Sequence, residues 1–103
     1  MANVKKVYGL RGVGLMDASL SNNLIQVDNV NNTENHYGIY LAGSDRNVLQ
    51  GNNIDLVNND AKDIGINLDG TSDNNQGGDN ITYRCGTGII DSGTGNAVTG
   101  KDV

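Results

Sequence analysis

Short runs of alternating apolar and polar residues, each stopped by Gly or Asn, recur along the whole chain. The clearest is Gly38 to Ile54, GIYLAGSDRNVLQGNNI, in which Ile39 and Leu41 take one side of a strand and Tyr40 the other. That two-residue period predicts β structure, and a helical period does not fit the same residues. Laid against the rest of the chain, the segment matches Gly14 to Val30 at an offset of 24 and Gly65 to Ile81 at an offset of 27. Gly88 to Val103 is a fourth copy, one residue shorter. Each copy opens on Gly14, Gly38, Gly65 or Gly88, followed at once by Leu15, Ile39, Ile66 or Ile89. A later column holds Asn23, Asn47, Asn74 and Asn96. A polar column of Asn29, Asn53, Asn80 and Asp102 then precedes an apolar one of Val30, Ile54, Ile81 and Val103.

Repeats of this length cannot bury their apolar side chains singly, but stacked turns of a solenoid can. Equivalent residues would then lie about 4.8 Å apart, strand hydrogen-bonded on strand, with alternate side chains in a shared interior. The column Asn23, Asn47, Asn74 and Asn96 is expected to form a structural ladder at a bend. There each amide bonds to the next, and Asn tolerates the left-handed backbone of a corner.

The order G-I-x-L, polar turn, N-x-[VIL], G-N-x-I resembles the parallel β-helix repeat of pectin-lyase-like proteins and periplasmic copper-enzyme maturation proteins. The resemblance covers Gly14 to Val103 and implies an all-β, single-stranded parallel β-helix, a right-handed solenoid of about four to five rungs. Residues 1–13 would form an irregular or partial first rung, within one domain spanning 1–103. The family includes polysaccharide lyases, glycoside hydrolases, alginate epimerases and phage tailspikes, so the likeness implies a fold and not a reaction.

Neither end carries an amphipathic helix that could cap exposed strand edges, so a homo-oligomer is expected, a trimer by analogy with viral fibres. The absence of Pro suits uninterrupted ladders, and the absence of Phe and Trp suits a narrow interior of Val, Ile and Leu. A formal charge of −5 disfavours nucleic acid and anionic membranes as partners, since both require basic patches. No stretch is long enough to span a membrane, and the first residues, broken by Gly and Arg, do not read as a secretory signal. Display at a virion or cell surface would then be as part of a larger assembly. Cys85 is alone and is read as inert, far in sequence from the single His36.

The enzyme reading rests on Asp69 and Asp91, one column apart on adjacent repeats, which could supply the paired carboxylates of a glycoside hydrolase. Alternatively, both are corner residues that accept local backbone hydrogen bonds. A carbohydrate-binding reading, or a lyase acting on a uronate, would use His36, Tyr40, Tyr83 and Arg84, with Tyr37 nearby. Exposed Tyr is also an ordinary strand-surface or subunit-contact residue. The stretch DGTSDNNQGGD from Asp69 to Asp79 is rich in oxygen ligands but lacks a calcium-loop signature, so neither a metal nor another cofactor is expected. The variable connections include one with Asp60, Lys62 and Asp63, and sequons occur at Asn31 and Asn80. The leading expectation is a structural β-helix module of an oligomeric surface fibre or phage tailspike, offering a sugar-binding face to a polysaccharide ligand. The alternatives are a polysaccharide-active enzyme and a stand-alone carbohydrate-binding module.

Overall fold

In the computed structural model, residues 7–27, 35–57 and 62–103 are described. Asn29, Val30, the sequon at Asn31 and the loop residue Asp60 lie outside them. Ten strands follow one another with no helix among the described residues: β1 (Val7–Val13), β2 (Ser19–Ser21), β3 (Leu24–Val27), β4 (His36–Ala42), β5 (Val48–Gln50), β6 (Asn53–Leu56), β7 (Ile64–Leu68), β8 (Gln76–Tyr83), β9 (Thr87–Asp91) and β10 (Ala97–Asp102). One sheet has the order β1-β4-β7-β9. The other has the order β2-β5-β8-β6-β3, with β10 also on β8. Every pairing is parallel.

The expected single-stranded solenoid of four to five like rungs is therefore corrected to two parallel sheets closed into a compact body. Its radius of gyration is 12.7 Å, where a compact domain of this length would have about 13 Å. The repeats are unequal. The first two give three strands each, whereas the third runs β8 as one strand past Asp79 (φ 55). That strand meets β5 at Gln76 and β6 from Ile81 onward, and so joins both sets of short strands into a single sheet.

Strand register corrects the repeat alignment too. Leu10 lies opposite Ile39, which lies opposite Ile66 and then Ile89, so the first repeat opens at Gly9 and not at Gly14. Glycine is required in this column by space. A Cβ on Gly38 would fall 2.6 Å from the carbonyl oxygen of Gly65 and 2.3 Å from Ile54 Cγ2, and one on Gly65 would fall 2.5 Å from the Gly88 carbonyl oxygen.

The core is made by the inward positions of the alternating runs. Ile39, Leu41, Leu49, Ile54, Leu56, Ile66 and Leu68 are fully buried, and Leu10, Leu15, Leu20, Ile25, Ile89 and Val98 pack on them from the two ends. Tyr40, between Ile39 and Leu41, points outward as the alternation predicts. Burial of each such aliphatic side chain contributes about 1.5–3 kcal/mol.

Gly38→Ala should destabilise the protein by about 2 kcal/mol or more, since a backbone carbonyl cannot move aside as a side chain can. Gly70→Ala, whose Cβ would meet nothing nearer than the Ser92 carbonyl oxygen at 3.7 Å, should change stability by less than about 1 kcal/mol. Urea unfolding of the two variants side by side checks the column.

Candidate functional site

The bends between strands are held by buried side chains that substitute for backbone partners. At one bend the backbone N–H of Asn47 donates to Asn75 Oδ1 at 2.9 Å, and Asn47 Nδ2 donates to the same oxygen at 3.0 Å. Asn75 repeats this with Asn96 Oδ1 at 2.8 and 3.0 Å, and its Nδ2 also reaches the Ser44 carbonyl oxygen. The ladder begins at Ala18, whose N–H donates to Asn47 Oδ1. A second ladder runs Asn23, Asn52, Asn80, again with N–H and Nδ2 of each residue on the next Oδ1. At a third bend Leu15 N–H donates to Ser44 Oγ and Ser44 N–H to Ser72 Oγ. Ser44, Asn47, Asn52, Ser72, Asn75 and Asn80 are all buried, so the bonds between them are made away from water, while those to Leu15, Ala18, Asn23 and Asn96 are partly buried.

The expected ladder of Asn23, Asn47, Asn74 and Asn96 is thus corrected at two places. Asn23 belongs to the second ladder, and Asn75 replaces Asn74, which is exposed at φ 58. Asn23 shifts because the first repeat opens at Gly9, and Asn74 gives way to Asn75 because the third repeat holds one extra residue: Leu41 pairs with Leu68, but the serine equivalent to Ser44 is Ser72. The turn Asp69-Gly70-Thr71 absorbs the addition.

Asp69 and Asp91 both work within these bends. Asp69 Oδ1 accepts hydrogen bonds from Thr71 N–H, Thr71 Oγ1 and Ser72 Oγ at 2.9, 2.8 and 3.1 Å, and from Gly43 N–H at 3.4 Å. Burial would raise its pKa, but the bonds from Thr71, Gly43 and Ser72 outweigh it and hold the carboxyl below its ordinary value. An acid catalyst needs the opposite shift. Asp91 Oδ1 accepts from Gly93 N–H and from Asn96 Nδ2, so it stands at the end of the first ladder where a further Asn oxygen would otherwise sit.

The other candidate residues fall in three separate places. His36, 2% exposed, lies on Asp63, 1% exposed, with Nδ1 and Oδ1 2.7 Å apart. That hydrogen bond engages Nδ1, and Nε2 is buried with no hydrogen-bond partner among the described residues. A carboxylate-oriented imidazole can serve as a general base, but this one is enclosed. The thiol of Cys85 turns away, its Sγ donating to the Tyr83 carbonyl oxygen at 3.3 Å. Burial, with the charges of Asp102, Asp63 and Asp55, pushes the thiol up to about 11. Tyr40 belongs to an outward cluster in which Tyr8 stacks on Tyr37 at 5.2 Å between ring centroids and Tyr40 meets both edge-on. Arg11 lies over the Tyr8 ring, 5.2 Å from its centroid. Tyr83 and Arg84 lie at the end of β8 in the other sheet, where Arg84 Nε donates to Asp55 Oδ1 at 2.9 Å and Nη2 to Oδ2. His36, Tyr40, Tyr83 and Arg84 do not share one surface.

Several of these residues were open to sequence reasoning. His36-Tyr37-Gly38-Ile39 and Asp63-Ile64-Gly65-Ile66 align residue for residue, and that alignment places His36 beside Asp63. Asn52 and Asn80, each just before a strand residue of the apolar run, mark the second ladder. Tyr8 and Arg11 carry no such signal until the first repeat is set at Gly9. Among the described residues no group of three or more His, Cys, Asp or Glu is placed to hold a metal ion. Comparison with known proteins gives no relative: no protein-family model matches the chain, and neither a curated protein nor a solved structure does.

Asn75→Ala leaves the buried N–H and Nδ2 of Asn47 without their acceptor and should cost roughly 2–4 kcal/mol. Asn74→Gly should stay within about 0.5 kcal/mol, and chemical denaturation distinguishes the two. Cys85 should alkylate with iodoacetamide about 100-fold more slowly at pH 8 than an exposed cysteine, because its raised pKa keeps it protonated. The same shift favours the protonated folded state, so its stabilising effect is complete below the unfolded pKa and is lost as pH rises towards 11.

Proposed function

We propose that this chain is a structural module of an oligomeric surface assembly, a stiff spacer and not a catalyst. The observation that carries this reading is the use made of the candidate carboxylates. Asp69 gathers the amides and hydroxyls of its own turn, and Asp91 ends an asparagine ladder. Each is engaged in holding a bend. The enclosed pair His36–Asp63 supports the same reading, since an imidazole that is 2% exposed has no route to a polymeric substrate. Buried ladders across three bends make every strand's position depend on its neighbours, which suits a part that transmits load or sets a distance.

A panel of neutral and acidic polysaccharides incubated with the protein tests the proposal. No chain cleavage is expected, and Asp91→Asn should alter thermal stability alone. Cleavage by the parent protein that disappears in a folded Asp91→Asn variant would replace this reading with the hydrolase one.

A further inference from the structure

The strands of the first sheet are nearly interchangeable in the positions next to the core. Gly9, Gly38, Gly65 and Gly88 share one column, and Leu10, Ile39, Ile66 and Ile89 share the next. The Asn and Ser ladders are uniform in the same way, because one kind of side chain recurs from repeat to repeat. Such columns fix how far along its neighbour a strand sits. They do not determine which neighbour it is.

One column differs. His36 lies opposite Val7 of β1, Asp63 precedes Ile64, the partner of Tyr37, and Gly86 precedes Thr87, the partner of Ile64. From β1 to β9 the column therefore reads Val7, His36, Asp63, Gly86, with no residue type repeated. Its two middle members are 2% and 1% exposed and meet through Nδ1 and Oδ1 at 2.7 Å. That contact forms only where β4 lies on β7. With β4 laid on β9, His36 would face Gly86, and with β7 laid on β1, Asp63 would face Val7. Pairing of β4 or β7 with the same strand of another chain would set His36 on His36 or Asp63 on Asp63. Each of these alternatives keeps the glycine and isoleucine columns intact, but it buries a polar side chain without the partner it has here, which is unfavourable. The exposed forks Arg46–Asp17 and Arg84–Asp55 also join unlike residues of successive repeats, yet water competes for them.

From this we infer that His36 and Asp63 specify the order in which the repeats stack, and that the pair serves this selection and not stability. Burying a polar pair costs desolvation that its own attraction repays only in part, and an apolar pair of similar volume is often as stable or more so. Nε2 of His36 adds to that cost, being buried with no hydrogen-bond partner among the described residues. A single polar pair suits the task where otherwise uniform apolar columns leave the choice of partner open. The inference concerns folding and stands apart from the spacer reading, since it holds whatever the surface of the chain binds.

Refolding of the full chain from urea tests it, with the parent protein, His36→Leu, and His36→Leu combined with Asp63→Val. The single substitution should lower the melting temperature by several degrees, because Asp63 then faces a leucine. The double variant should melt at or above the temperature of the parent. After refolding, the parent should give one set of amide peaks by nuclear magnetic resonance and one species on size-exclusion chromatography. The double variant should give a second set of peaks or strand-exchanged oligomers. A double variant that refolds to one set of peaks and one species would overturn the inference. So would one that melts well below the parent or does not fold, because the pair would then be a source of stability.

Discussion

At three bends among the described residues a backbone N–H is taken up by a side-chain oxygen from the next repeat. Asn75 Oδ1 accepts both N–H and Nδ2 from Asn47, and Asn80 Oδ1 does the same for Asn52. An unpaired buried amide would cost about 1–3 kcal/mol, and the net stability of a domain is only about 5–15 kcal/mol. The bends therefore need an Asn or Ser at a set column. That need fixes the vertical register of both sheets.

The remaining features follow from that register. With the bends aligned, Gly9, Gly38 and Gly65 stack so closely that a Cβ on any of them would overlap the next carbonyl oxygen. Ile39, Ile66 and Ile89 then fall on one another, within an aliphatic core bordered by buried Ser, Asn and Thr side chains. Polar groups in this interior are tolerated because they are shared between repeats. The carboxylates act in the same way: Asp69 secures the longer turn of the third repeat, and Asp91 accepts from Asn96 of the first ladder. Among the described residues, strands with a single partner lie at both ends, β1, β2 and β3 at one and β9 and β10 at the other.

Parts of this were legible in the sequence. The alternation around Tyr40, the stack of Gly38, Gly65 and Gly88, and the isoleucines after them need only a two-residue period and a recurring glycine. Gly9-Leu10 and Gly14-Leu15 present the same dipeptide five residues apart, and only strand pairing sets the first repeat at Gly9. An added turn residue shifts the third repeat and the two asparagines are adjacent, so spacing alone selects Asn74 where the ladder uses Asn75. Equal spacing also suggested equal turns of a solenoid, whereas β8 runs on through a bend and gathers the short strands into one sheet. Among the candidate site residues, Asp69 and Asp91 were visible as a pair of acids near glycines. Their donors are mostly local, Thr71 and Ser72 for Asp69 and Gly93 and Asn96 for Asp91, as expected of corner acids; Gly43, 26 residues from Asp69, is the donor that spacing does not report.

Native-state hydrogen exchange, read residue by residue, addresses the side-chain ladders most directly. If these oxygens hold the bends, the backbone amides of Asn47, Asn52 and Asn75 exchange only through global unfolding, as slowly as the core-strand amide of Leu49. Exchange of those three at the rate of an exposed turn amide such as Gly70 would mean that the ladders do not hold the bends, and that the sheets are kept together by the aliphatic interior alone.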